Sequence, residues 1–296
     1  MIHPHQAVRD LHWALTSPAL MAGTTMRLDD AWFARQWTAL RAWWEGIAHN
    51  PQPLLDFLEN RAPVKLGHYF EALLEFWLTS GSSHRLLAKG TQVFRAGRTL
   101  GEMDFVGVDA HGHPFHWEVA VKFYLNIVGS RQWQHWVGTE KWDTLERKLH
   151  KLQRHQALLS RQPETAHLWP EWGIAPPRSA IWLKGYFFQR LGQKAIRPYA
   201  SNPAHGAGWW GTLEDVEHTM AGKQHWCLPE RLEWLSPVMR RDDGEVLDKP
   251  SWKSAVEYAW KQRLAPVLSV VMARQPQGHW QEESRGFVVP PEWPVL

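Results

Sequence analysis

Residues 99–125 read TLGEMDFVGVDAHGHPFHWEVAVKFYL, two strands around a turn, and this hairpin decides the architecture. Asp109-Ala110-His111-Gly112-His113-Pro114 supplies the turn, with Gly112 and Pro114 as its breakers. Side chains alternate between the two faces of a strand. On the second strand Trp117, Val119, Val121 and Phe123 make one apolar face, while His116, Glu118, Ala120, Lys122 and Tyr124 point the other way. On the first strand the same rule puts Glu102, Asp104 and Val106 on one face, opposite Met103 and Phe105. Pairing the strands gathers three carboxylates and one ammonium on one side of a largely apolar hairpin.

Such a gathering needs a cause. Two carboxylates about 4 Å apart repel by roughly 4 kcal/mol at an effective dielectric near 20. A lysine offsets part of this and a divalent cation offsets more. Oxygen ligands alone suit Mg²⁺ or Mn²⁺. The bland alternative is a hairpin whose charged face meets solvent.

Acid on one strand, then acid and lysine on the next, resembles the PD-(D/E)XK nuclease superfamily. Gly101-Glu102-Met103-Asp104 is similar to its G-x-x-D element, and Glu118-Val119-Ala120-Val121-Lys122 to its E-x-K element. The resemblance implies an α/β fold with a restriction-endonuclease-like core of a helix, three strands, a helix and a further strand. One departure stands out: three residues separate Glu118 from Lys122 where the superfamily has one, so Ala120 occupies the usual acid position. A bulge could close that gap; otherwise Glu118 binds from one step away or the site is degenerate. The whole chain also resembles a bacterial family catalogued as domain of unknown function 1853, on the stretches LGHYFEALLEFWL, LGEMDFV and HWEVAVKFYL.

Outward from the hairpin, residues 62–190 hold the nuclease-like core. Leu66 to Leu78 is a strongly apolar helix with Glu71 on its flank. The resemblance aims that glutamate at a metal site; a solvated helix glutamate is the plain reading. Arg85 to Arg95 is the first core strand and Arg178 to Phe188 the fourth. Asp143 to Ser160 is a helix with Leu145, Leu149, Leu152 and Leu159 on its buried side. Arg147, Lys148, Lys151 and Arg154 mark its other side, either a solvated face or a track for nucleic-acid phosphates.

Residues 1–61 are an N-terminal helical extension, with helices expected at His5–Leu15, from Asp29 to Ile47 with Asp29 or Asp30 as cap, and at Pro53–Asn60. Residues 191–296 are a mixed α+β extension on the core. There Ile196–Gly208 reads as loop, Leu213–Met220 as a helix with Thr212 and Asp215 as a near capping box, Ser251–Leu264 as helix and Val267–Ala273 as strand.

Composition is permissive. The chain has 296 residues, 44% of them hydrophobic and 21% charged, which is globular and excludes wholesale disorder. A net charge of +3 allows nucleic acid without demanding it. Cys227 stands alone, which rules out an internal disulfide or a cysteine-based zinc site and fits a reducing cytoplasm. The opening MIHPHQAVRDLHWAL lacks the features of a secretory signal, and no apolar run is long enough to span a membrane. The 21 tryptophans serve mainly as packing, though some could stack on bases. His111, His113 and His116 make a polar turn better than a zinc site, which would need a fourth ligand.

The expected function is metal-dependent phosphodiester hydrolysis on nucleic acid, DNA first. In it Asp104 and Glu118 hold one or two Mg²⁺ or Mn²⁺ ions with help from Glu71 or Glu102, Lys122 positions or deprotonates the attacking water, and the Arg147–Arg154 face holds the backbone. The competing expectation is a degenerate nuclease fold that binds nucleic acid or protein without catalysis.

Overall fold

The computed structural model describes residues 3–23, 28–140 and 142–293. Four helices lead: α1 (Gln6–Thr16), α2 (Asp30–Ala39), α3 (Arg41–His49) and α4 (Gln52–Arg61). Asp29 caps α2 as expected, its carboxylate accepting the Trp32 N–H at 2.7 Å. The single helix expected from Asp29 to Ile47 is two, because the backbone leaves helical geometry at the buried Leu40 (φ −92°, ψ 0°).

Next come α5 (Leu66–Ser80), β1 (Arg85–Arg95), β2 (Arg98–Val108), β3 (Pro114–Asn126), the two-residue β4 (Trp136–Val137), α6 (Leu145–Arg154), the single turn α7 (Leu168–Glu171) and β5 (Arg178–Arg190). The β2–β3 turn is held by Asp109, whose Oδ1 accepts the N–H groups of His111 and His113, each at 2.8 Å. Thr144 caps α6. That helix is shorter than the expected 143–160, because after His155 the chain tightens into a 3₁₀ helix over Gln156–Arg161.

The remainder adds β6 (Gly206–Gly211), α8 (Leu213–Thr219), β7 (His225–Cys227), β8 (Met239–Arg240), β9 (Leu247–Asp248), α9 (Lys249–Gln262), β10 (Val267–Arg274) and β11 (Trp280–Val288). The capping box at Thr212 and Asp215 is complete, each side chain bonding the other's backbone N–H. β6 lies at the end of a segment whose sequence reads as loop.

The fold is mixed α/β around one sheet of 11 strands, in the order β1-β2-β3-β5-β6-β11-β10-β7-β9, with β4 beside β3 and β8 beside β11. β1, β2 and β3 are antiparallel, whereas β3–β5, β5–β6 and β6–β11 are parallel. The central parallel strands are covered on both faces. Trp117, Val119, Val121 and Phe123 of β3 enter the main core with α1 and α5, where Trp77 stacks on Trp117 at 6.1 Å. Tyr124 enters a second cluster with Leu145, Leu149 and Leu152 of α6. The alternation expected for β3 therefore holds, and it turns Glu118, Ala120 and Lys122 toward α6. Gly185 fixes how closely β5 approaches: at φ +137°, a Cβ there would lie 1.7 Å from the Lys122 carbonyl oxygen.

Strand β2 departs from simple alternation. Met103 and Val106 are both buried with Leu159 and Trp169, whereas Phe105 joins the main core. The β1–β2 pairing steps from Lys89↔Phe105 to Thr91↔Met103, passing over Gly90 and Asp104, and Gly90 has a φ of +64°. Gly90 thus lies opposite Asp104, and the register shifts of this ladder fall to either side, at Leu86/Ala88 and Val93/Phe94.

Candidate functional site

The β2–β3 ladder runs only from Val108↔Pro114 to Phe105↔Trp117. Past that point the strands part, and two carboxyls fill the opening. Asp104 Oδ2 accepts the Val119 N–H at 2.8 Å, a side chain doing what a ladder carbonyl would otherwise do. Glu118 is fully buried. Its Oε1 meets His116 Nε2 at 2.8 Å and its Oε2 accepts from Gln156 Nε2 at 2.8 Å. Behind His116, Nδ1 lies 3.1 Å from Ser160 Oγ and 3.3 Å from Ser179 Oγ.

Burial sets the protonation of this group. It pushes the Asp104 carboxyl up to about 7, helped by the Glu118 charge and opposed by the Val119 N–H and Lys148. It pushes Glu118 up to about 8, against the pull of Lys148 and Lys151. His116 is driven down to about 4 by the same desolvation. Near pH 7 its contact with Glu118 is therefore a hydrogen bond between neutral partners rather than an ion pair. The Asp104–Glu118 pair titrates as a unit and keeps a proton in place of one of its two charges.

The lysines do not divide as the sequence suggests. Lys148 does not share the solvent face of α6 with the exposed Arg147, Lys151 and Arg154. It turns inward, half-buried, where burial and the neighbouring Lys122 lower its ammonium to about 8, with Asp104 and Glu118 opposing. Lys122 instead bonds Asp143 Oδ2 at 2.6 Å. Nothing in the α6 pattern marks Lys148: it flanks the Leu145–Leu149–Leu152 stripe, and a lysine carries no apolar signal for the side it faces.

Glu71, in the second turn of α5, is half-buried, and its carboxyl is raised by burial and by Asp104. Glu75, one turn on, serves packing. Burial alone would raise its carboxyl, but Arg61 at 2.6 Å and Lys89 at 2.8 Å hold it below the usual range. Glu102 is exposed. His111 and His113 stay in the exposed turn, away from the buried His116.

Beside the pair opens a cleft of about 630 Å³. Its walls are the start of α5 with Glu71, residues 119–123 of β3, the segment from Gly138 to Glu140 with Trp142 and Asp143, Lys148, and Arg231 with Trp234. Ala120 and Lys122 line this space, whereas Asp104 and Glu118 are not among its lining residues. Among the described residues no three His, Cys, Asp or Glu side chains are grouped as a ready metal cage. The oxygens of Asp104 and Glu118 are nonetheless the donor type that Mg²⁺ takes, one or two carboxylates with water and substrate oxygens completing its shell. The same set does not suit zinc.

Fold and site together define a mixed α/β protein with a buried acid pair and an ammonium where two core strands part. The chain belongs to the family described as domain of unknown function DUF1853, which it matches over residues 9–289. Comparison with curated proteins and with solved structures gives no match. Among the described residues no helix is long and apolar enough to cross a membrane.

Proposed function

We propose that the chain is a metal-dependent phosphodiesterase of the PD-(D/E)XK type that hydrolyses nucleic acid, DNA in the first instance. The observation that carries this reading is the pairing of Asp104 with Glu118 where β2 and β3 diverge, with the Lys148 ammonium among the charges acting on both. The element order supports it: helix α5, strands β1 to β3, helix α6, then β5 parallel to β3.

Asp104 and Glu118 would hold the Mg²⁺ or Mn²⁺ ion, which when bound supplies Lewis acidity and acidifies its water. Binding such an ion displaces the proton that the pair otherwise retains. Glu71 lies close enough for its charge to act on Asp104 and adds negative potential at the cleft wall. Lys148 is the ammonium placed to offset charge building on a phosphate in the cleft. With its pKa near 8 it can also accept or return a proton close to neutral pH. Lys122, held by Asp143, orients that wall of the cleft. Arg147, Lys151 and Arg154 remain exposed on α6 and suit backbone phosphates.

One observation favours a second reading, a catalytically degenerate fold that binds nucleic acid or protein. Ala120 faces the cleft where an acid would stand, and both Glu118 oxygens are already engaged. Cleavage of plasmid and oligonucleotide DNA in Mg²⁺ or Mn²⁺, by the wild type beside Asp104→Ala and Lys122→Ala, decides between them. The hydrolase reading requires wild-type cleavage that Asp104→Ala abolishes. Three equally inert proteins leave the binding role.

A further inference from the structure

We infer that the cleft takes its nucleic acid as a single strand, one base stacking on Trp142 and the adjoining phosphate seated at the start of α5 between Lys65 and Arg231. The inference rests on the proposal that this site handles phosphodiesters. It adds the form of the substrate and the residues that read it.

Size speaks first. About 630 Å³ lies in the range of small-molecule pockets, room for roughly one or two nucleotides and far too little for a duplex.

The tryptophans speak next. All 21 lie within the described residues, and among them Trp142 alone is exposed, at 69%. The others are packed or half-buried, whereas the Trp142 indole makes no aromatic contact among the described residues. An indole left in water at the rim of a cleft is a stacking platform for a base. Val64, 86% exposed, forms another part of the same rim.

Charge completes the picture. Lys65, Arg231 and Lys148 line the cleft and form no ion pair among the described residues. Arg231 instead lies over the Trp234 ring at 5.4 Å. Lys65 is also the N-cap of α5 and provides no side-chain cap, so the first backbone N–H groups of this 15-residue helix face the cleft uncapped. At Gly67 a Cβ would meet nothing within 4 Å, so the backbone there is open to a ligand.

The test is fluorescence anisotropy with one labelled 12-nucleotide strand, alone and annealed to its complement, in EDTA so that no cleavage occurs. Wild type, Trp142→Ala and Arg231→Ala are compared over a salt series. The single strand should bind at least about tenfold tighter than the duplex. Trp142→Ala should weaken single-strand binding roughly 5- to 100-fold. Arg231→Ala should reduce the salt slope by about 0.7, one phosphate contact. Equal affinity for both forms, or a Trp142→Ala protein that binds like wild type, overturns the inference. Metal-dependent cleavage indifferent to Trp142→Ala would sink it while the phosphodiesterase reading stands. Single-strand binding that depends on Trp142, without any cleavage, would do the reverse. No binding of either form overturns the inference, and the phosphodiesterase reading then stands or falls on metal-dependent cleavage alone.

Discussion

Replacing Glu118 with glutamine should stabilise the metal-free protein at pH 8 and flatten its dependence on pH. Burial moves this carboxyl from 4.5 to about 8, so between those values the folded chain holds a proton the unfolded chain has released. The stability contributed by that proton is complete below pH 4.5 and is lost as pH rises through about 8. At about 1.4 kcal/mol per pKa unit the whole shift would amount to about 4–5 kcal/mol, and coupling to Asp104 and Lys148 lowers this to roughly 2–3 kcal/mol. Asp104 acts in the same direction between 3.8 and about 7, and His116 opposes between about 4 and 6.5. Both remain in the variant, so the difference between the two proteins reports Glu118 together with its coupling to Asp104. Glutamine keeps the shape and can still bond His116 and Gln156. Thermal unfolding followed by near-UV circular dichroism, without divalent ions, should show the wild-type Tm falling relative to the variant from pH 5 to pH 8. At pH 8 the variant should melt higher by roughly 3–5 °C. Parallel curves, or a variant less stable than wild type at pH 8, would refute the account of a carboxyl buried with its proton.

Lys148→Ala should cost Mg²⁺-dependent cleavage about 100-fold or more, and Lys122→Ala distinctly less, because Lys148 is the lysine turned toward the acid pair while Lys122 is tied to Asp143. Single-turnover rates compare them directly, and equal losses would return the central role to Lys122. Gly185→Ala should cost at least about 3 kcal/mol, because its Cβ would overlap the Lys122 carbonyl and its φ of +137° disfavours any side chain. A urea midpoint within error of wild type would show that β5 can move away from β3.

Much of this architecture is legible in the sequence, for definite reasons. The β2–β3 hairpin announces itself through Gly112, Pro114 and the strict alternation from His116 to Tyr124, because one face of β3 meets α5 and the other α6. Helix α5 is visible because nearly all of its face is core. The first failure is β6: Gly206–Gly211 is a glycine-flanked strand inside a Pro/Gly-rich stretch, and its place between β5 and β11 is decided by long-range pairing. The break at Leu40 also lacks a signal, since the spacing of Trp37, Leu40 and Trp44 suits one helix as well as two. At the site, alternation correctly turns Glu118 and Lys122 toward α6 but fails on β2, where Met103 and Val106 share one cluster and Phe105 joins another. Lys148 escapes because helical periodicity locates apolar faces and is silent on which way a bordering lysine turns.

The central claim is that Asp104 and Glu118 together receive a divalent cation. Titration of the protein with Mn²⁺, followed by the loss of the free-ion electron paramagnetic resonance signal, tests this without reference to substrate. The wild type should take up one or two ions near neutral pH, more tightly at pH 8 than at pH 6 as the pair gives up its proton, and Asp104→Asn should lose that uptake. Wild type and Asp104→Asn binding Mn²⁺ alike, or neither binding it, would contradict the claim.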